Sequence, residues 1–207
     1  MVISVIDSGF NKKCYKCTNS LTVYGEDESE DLHGTACIKI IDNNIVDGTL
    51  VSISAYDSNK CIDDISIAAA IKKAIEIKSN IITISMGCYS FSEELVNAID
   101  CCEQENIIVL AAQDHLNRII YPACLKNVYA VDAFEKKHII YDQAFYVPQM
   151  TTFLQKNNRH IQSFSGSSIS CAYMAAKINN LLVEFTPKNA REFIENYYTV
   201  DQENADE

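Results

Sequence analysis

No apolar run in this chain approaches the ~20 residues that a membrane-spanning helix needs. The first run, Met1 to Ile6, stops at Asp7 with no basic residue ahead of it. Neither a membrane anchor nor an export signal is expected, and the chain is expected to be soluble and cytoplasmic. Basic residues are in short supply: 17 Lys and Arg stand against 28 Asp and Glu, a formal charge of −11. Nucleic acids and anionic membranes recruit clustered Lys and Arg, so neither is an expected partner, whereas a cationic peptide is compatible with this balance. Glycine and proline number only six and three, and no repeat, low-complexity tract or linker interrupts the sequence. With one glycine after the first apolar run, Gly9, there is neither a GxGxxG nor a P-loop, which argues against a nucleotide-binding domain. Cysteine is plentiful by contrast. Nine cysteines, an odd number without a regular framework, read as reduced thiols. Cys14-Tyr15-Lys16-Cys17 has the spacing of half a zinc site, but no second pair or nearby histidine completes it, so no metal is expected.

At 207 residues and 48% hydrophobic, the chain can bury a real core as one domain. Residues 1–200 are read as that domain and residues 201–207 as an acidic, disordered tail. Strand-like runs cover Val2 to Ile6, Leu50 to Ala55, Ile81 to Ser85, Ile107 to Ala112 and Val128 to Ala133. Several are apolar on nearly every residue, as in strands covered on both faces of a parallel sheet. Helical patterns lie between them, at His33 to Asp42, Asp63 to Lys78, and Ser92 to Gln104 with Ser92 as N-cap. A last helix is predicted from Thr186-Pro187 to about Tyr198. The succession implies an α/β fold: a doubly wound, mostly parallel sheet with helices on both faces.

In such a sheet, reactive groups gather beyond the carboxyl ends of the strands. Asp7 falls there, His33 opens a helical pattern, and Ser168 precedes another. A carboxylate, an imidazole and a hydroxyl in the order Asp, His, Ser make up one of the three known chain orders of a serine-hydrolase triad. Asp7 would orient the imidazole through its Nδ1 proton, His33 would act as general base, and Ser168 as nucleophile. A helix start at Ser168 would add backbone amides beside the developing oxyanion. Each motif alone is a common turn or cap, and their joint order carries the inference.

The flanking sequence resembles the subtilisin-like serine proteases, the subtilases, over nearly the whole chain. Val5-Ile6-Asp7-Ser8-Gly9 is similar to the family's Asp motif, His33-Gly34-Thr35-Ala36-Cys37 to its His motif, and Gly166-Ser167-Ser168-Ile169-Ser170 to its Ser motif. Ile82-Thr83-Ile84-Ser85-Met86-Gly87 resembles the strand that binds substrate backbone, which implies Ser85, Met86 and Gly87 as substrate-binding residues. Tyr121-Pro122-Ala123 followed by Val128-Tyr129-Ala130-Val131 resembles another family segment. The resemblance implies a subtilisin-like fold and a serine endopeptidase without a prodomain. It also implies no cofactor and no obligatory calcium, because the usual calcium loops find no counterpart.

Where the family carries Ala-Ala-Gly-Asn, this chain reads Ala111-Ala112-Gln113-Asp114. The Asn normally donates to the oxyanion, and an ionised Asp114 cannot. A protonated Asp114 or the backbone amide of Ser168 would keep a donor in this oxyanion region. Ala112 and Gln113 are expected to border the S1 pocket, Gln113 narrowing it or making it polar. Ala172 and Ser165 replace the family's Pro and Asn in the Ser motif. Five carboxylates fall within Glu26 to Asp31. The bland reading is a solvated acidic loop; the functional one has Glu30 and Asp31 favouring basic residues near the cleavage site and raising the His33 pKa. His115 is treated as incidental, and Cys37 and Cys171 as small buried hydrophobes. The expected partner is a peptide or protein substrate from a restricted set, as in removal of a leader from a ribosomally made peptide. The alternative is an impaired subtilase scaffold that binds peptides without cutting them.

Overall fold

The computed structural model describes residues 1–16, 20–22, 32–56, 61–114, 116, 118–133, 144–157 and 160–205. In chain order the elements begin with β1 (Val2–Asp7), β2 (Ser20–Thr22), α1 (His33–Asp42), β3 (Thr49–Ser54), α2 (Asp64–Glu76), β4 (Ile81–Ile84) and α3 (Glu93–Gln104). They continue with β5 (Ile108–Ala112), β6 (Tyr129–Asp132), β7 (Ala144–Tyr146), β8 (Thr151–Asn157), β9 (His160–Ser165), α4 (Ser167–Phe185) and α5 (Ala190–Ala205). Seven strands form one sheet in the order β2-β3-β1-β4-β5-β6-β7, each neighbouring pair parallel. The doubly wound α/β sheet expected from the strand and helix succession is present. After β1 the chain goes out to β2 at the edge, returns through β3 beside β1, then crosses to β4 on the other side of β1. The order therefore reverses beside β1, and the crevice at the carboxyl ends there is where such sheets bind ligands.

Alternation along each strand sorts the core into two layers. Ile3, Val5, Ile81, Ile108 and Leu110 face α1, α4 and α5, packing with Ile38, Ile41, Ile169 and Ile194. Ile6, Ile53, Ile82, Ile84 and Val109 face α2 and α3, packing with Ile67, Ile71, Leu95 and Ile99. The same period puts Asp7 on the face of Ile3 and Val5, toward α1 and α4. Ser85, two residues past Thr83, follows onto that face.

Helix starts follow their sequence signals where a capping side chain exists. Asp63 and Ser66 form a capping box at α2, and Ser92 accepts from the Leu95 amide at α3. The last helix departs from expectation. Thr186 closes α4 in the left-handed region, with φ 44°, and its amide donates to Leu182 O at 3.0 Å. Pro187 follows because it cannot continue a helix. Asn189 then accepts from the Glu192 amide at 3.2 Å, so the cap lies three residues later than Thr186. With no Gly or Pro beyond it, α5 runs to Ala205, through most of the stretch expected to be a disordered tail.

Three features had no counterpart in the sequence reading: β2, β7 and the antiparallel hairpin of β8 and β9. Among the described residues no helix is long and apolar enough to cross a membrane, and none of the eight described cysteines is in a disulfide.

Candidate active site

His33 is the first residue of α1, and glycine lets that helix start touch the turn after β1. A Cβ on Gly34 would stand 2.3 Å from Gly9 O and 3.0 Å from Asp7 Cβ. The Gly34 amide donates to Ser8 Oγ at 3.2 Å, and the Asn11 amide to Thr35 Oγ1 at 2.8 Å. Together these contacts bring His33 Nδ1 to 2.9 Å from Asp7 Oδ2 and 3.0 Å from Oδ1. Because a carboxylate only accepts, the proton in this contact belongs to Nδ1. The Ser8 amide donates to Asp7 Oδ1 at 2.6 Å, and Asp7 itself is buried. The His33 side chain stays one-third exposed, with Phe164 edge-on at 6.3 Å.

Cys37, one turn along α1, has its Sγ 3.4 Å from Asp7 Oδ2 and 3.3 Å from Ser85 Oγ. Burial first, then the Asp7 charge, pushes this thiol well above its ordinary value, so it is a neutral neighbour of the carboxylate. Burial likewise lifts Cys171 to about 12. Asp7, His33 and Cys37 place potential ligand atoms within 4.8 Å of one another, but a thiol held this firmly protonated is a poor metal ligand. Cys17, from the other candidate metal motif, lies outside the described residues.

Ser168 is the second residue of α4, whose N-cap Gly166 has φ 108° and ψ −170° and makes no side-chain cap. The first amides of α4 therefore point out of the helix without a capping oxygen. Ser168 Oγ donates to Ser85 O at 3.0 Å, and Ser167 Oγ donates to Gln113 O at 2.7 Å. The ends of β1, β4 and β5 thus converge on the start of α4. Ser85, Ala112 and Gln113 are buried at this edge, with Met86 and Gly87 half-buried beside them. Glu30, Asp31 and His115 lie outside the described residues.

Asp114 is fixed by neighbours that its own motif does not contain. Its Oδ2 accepts from Arg118 Nε at 2.9 Å and from the Leu116 and Arg118 amides at 3.2 Å each. Its Oδ1 accepts from Arg118 Nη2 at 3.2 Å and Tyr89 Oη at 3.3 Å. The Arg118 bonds, foremost, hold this carboxyl down at about 2. It is ionised near neutrality, so the protonated form left open by the sequence is excluded. Asp114 and Arg118 lie outside any helix, so their four-residue spacing was no signal for this pairing. Nothing in the sequence marks Ile120: a Cβ on Gly87 would stand 2.6 Å from Ile120 Cγ1.

None of the curated proteins is significantly similar to the chain. Among solved structures, a prenylagaramide maturation protease, PagA, superposes with TM-score 0.73 at 19% identity, covering 91% of this chain and 78% of that one. The patellamide maturation protease PatA gives 0.72 at 19%, over 92% and 82%. A lanthipeptide protease gives 0.73 at 18%, over 93% and 77%. At these identities the likeness is one of fold. The sequence match is to a family model described as the Subtilase family, Peptidase_S8, over residues 1–206, and the chain belongs to that family of serine endopeptidases.

Proposed function

We propose that residues 1–200 form one catalytic domain that hydrolyses peptide bonds with Asp7, His33 and Ser168. The observation that carries this reading is the contact of His33 Nδ1 with both Asp7 oxygens, at 2.9 and 3.0 Å. It lies on the sheet edge where Ser168 opens α4. Asp7 fixes the imidazole tautomer in which the other ring nitrogen is the basic one that takes a proton. The Ser168 hydroxyl leaves its hydrogen bond to Ser85 O and turns to His33, which removes its proton as Oγ attacks the scissile carbonyl, and the carbonyl π electrons move onto its oxygen. That oxyanion meets the Ser168 amide at the uncapped start of α4, where the helix dipole is positive. The imidazolium then protonates the leaving amine, and the acyl-enzyme forms. Water, deprotonated by His33, repeats the attack and frees the acid.

The substrate proposed is a peptide or protein from a restricted set, in the cytoplasm, with leader removal from a ribosomally made peptide as the leading case. The fold shared with PagA, PatA and the lanthipeptide protease supports this choice. A recess of about 410 Å³ between the end of β3 and the start of α2, lined by Ala55, Ile65 and Ala69 among others, adds room for an apolar substrate side chain. It lies next to Asp7, whose carbonyl accepts from the Ala55 amide at 3.1 Å. Glu30 and Asp31 are proposed to favour Lys or Arg near the cut.

Incubation with precursor peptides, read by mass spectrometry, tests the proposal. A single cleavage is expected, reduced ~10⁶-fold in Ser168→Ala and ~10⁴-fold in Asp7→Asn. Glu30→Gln with Asp31→Asn should erase any basic preference. Well-folded protein whose Ser168 a fluorophosphonate fails to label would be a peptide-binding scaffold instead.

A further inference from the structure

Four large apolar side chains stand in water beside the candidate site: Tyr89, Phe91, Leu116 and Ile119, each between 57% and 66% exposed. Singly such residues are ordinary, but a group of them marks a contact surface. These four sit on two segments that are fastened together. Cys88 and Tyr121 exchange backbone hydrogen bonds of 3.0 and 2.9 Å, and the Phe91 ring stacks on Tyr121 with centroids 5.4 Å apart. Asp114 ties in the others: Tyr89 Oη donates to its Oδ1 at 3.3 Å and the Leu116 amide to its Oδ2 at 3.2 Å. The Arg118 guanidinium, bonded to the same carboxylate, lies 4.6 Å from the Tyr89 ring centroid. The bonds that fix Asp114 therefore fix an apolar surface, which has little order left to lose on binding.

Acid borders this surface on one side. Ser90 Oγ donates to Asp64 Oδ1 at 2.8 Å, which brings the start of α2, with Asp63 and the half-exposed Ile65, against the segment that holds Tyr89 and Phe91. Glu93 and Glu94 follow Phe91 in the first turn of α3. Arg118 is the one Lys or Arg within residues 61–66, 88–95 and 114–121, and its fork is engaged by Asp114. The four carboxylates beside the surface thus have no cation within these segments. Both segments also lead straight to the candidate site: Gly87 precedes Cys88, and Asp114 follows Gln113, whose carbonyl accepts from Ser167 Oγ at 2.7 Å.

Resting on the reading of Ser168 as nucleophile, we propose that Tyr89, Phe91, Leu116 and Ile119 form an exosite for a basic, apolar segment of the substrate that lies apart from the residues flanking the cut. Its apolar side chains cover these four, and its Lys or Arg side chains meet Asp63, Asp64, Glu93 and Glu94. The charge of −11 on the chain draws such a segment in before contact. Holding it raises the effective concentration of the scissile bond at Ser168, so the set of substrates is restricted by a sequence that is not itself cut.

The test takes the peptide that wild type cuts fastest from a random library and compares it bare with versions joined through a Gly-Ser linker to a segment of Leu and Lys, of Leu and Glu, or of Ser and Lys. The Leu/Lys segment should lower KM ~10-fold or more with kcat unchanged, and the other two should give a much smaller gain. Leu116→Ser with Ile119→Ser should erase the gain, while the rate on the bare peptide and the labelling of Ser168 by a fluorophosphonate stay at wild-type values. Glu93→Gln with Glu94→Gln should shrink the gain at low salt and make what is left less sensitive to salt. An equal gain from the Leu/Glu segment, or a gain that survives Leu116→Ser with Ile119→Ser, would overturn the exosite and leave the nucleophile in place. So would dimerisation in sedimentation that the same two substitutions abolish, because the surface would then be a contact between copies of this chain. Folded wild type that the fluorophosphonate fails to label would overturn the reading of Ser168 instead. Binding of the fluorescent Leu/Lys segment alone, by anisotropy, would in that case still decide the exosite: affinity unchanged by Leu116→Ser with Ile119→Ser would overturn it.

Discussion

Gly34 shows how one missing side chain positions another. With Gly9 O 2.3 Å from where its Cβ would stand, any larger residue forces α1 away from the turn that follows β1. Gly34→Ala should cost ~1–3 kcal/mol, the usual penalty of overpacking, and should lower kcat more than that loss of stability implies, because His33 moves with the helix start. Thermal melting and kcat measured on folded protein separate the two effects. Asp114 offers a pH signature. Its folded-state value of about 2 lies below the ~3.9 of an unfolded aspartate, so the unfolded chain takes up the proton first as pH falls. The stabilisation is complete above pH ~4 and is lost between there and about 2. Asp114→Asn should thus be less stable than wild type at pH 7, and the gap should close across that acid window in urea titrations. The contact of Asp7 with His33 was legible because both motifs are short and local. The state of Asp114 was not, because it depends on hydrogen bonds from Arg118 and Tyr89 that chain order does not fix.

At the level of elements, legibility tracked local chemistry. Helices α2 and α3 declared their starts through Asp63 and Ser92, side chains that cap without help from the rest of the fold. Asp63→Ala should remove about 1 kcal/mol of stability, visible as a lower melting temperature. Strands buried on both faces were equally plain. The misreadings fall where tertiary context decides. Thr186-Pro187 carries a start signal, yet α4 runs long enough to use Thr186 as its left-handed end. The hairpin strands β8 and β9 alternate weakly, and their outward residues Phe153 and Ile161 are exposed apolar groups, so the period of two is blurred. Strand β7 is three residues long, too short for periodicity to register.

Across the whole molecule the two edges of the sheet do different work. The carboxyl edge gathers polar groups around Asp7 and Ser168, whereas the amino edge is fastened by α5. Arg191 is buried there, its Nη1 donating to Ile107 O at 3.3 Å and Asn127 O at 3.2 Å. Its guanidinium lies 5.4 Å from the Tyr129 ring centroid, and Tyr129 Oη donates to Glu195 one turn along the same helix, at 3.0 Å. Ile107 stands immediately before β5 and Asn127 two residues before β6, at the end opposite the candidate site. Arg191→Leu would keep apolar cover over Tyr129 but leave two buried carbonyls without their donor, at a cost of about 2–4 kcal/mol. Because no hydrogen bond runs from Arg191 to Asp7, His33 or Ser168, kcat/KM well below the melting temperature should stay at the wild-type value. Combined with Gly34→Ala, the losses of stability should add to within about 0.5 kcal/mol, as expected of separated sites without shared partners. A coupling well above that, read from denaturant midpoints of the two single variants and the double, would mean that the amino edge helps to set the start of α1.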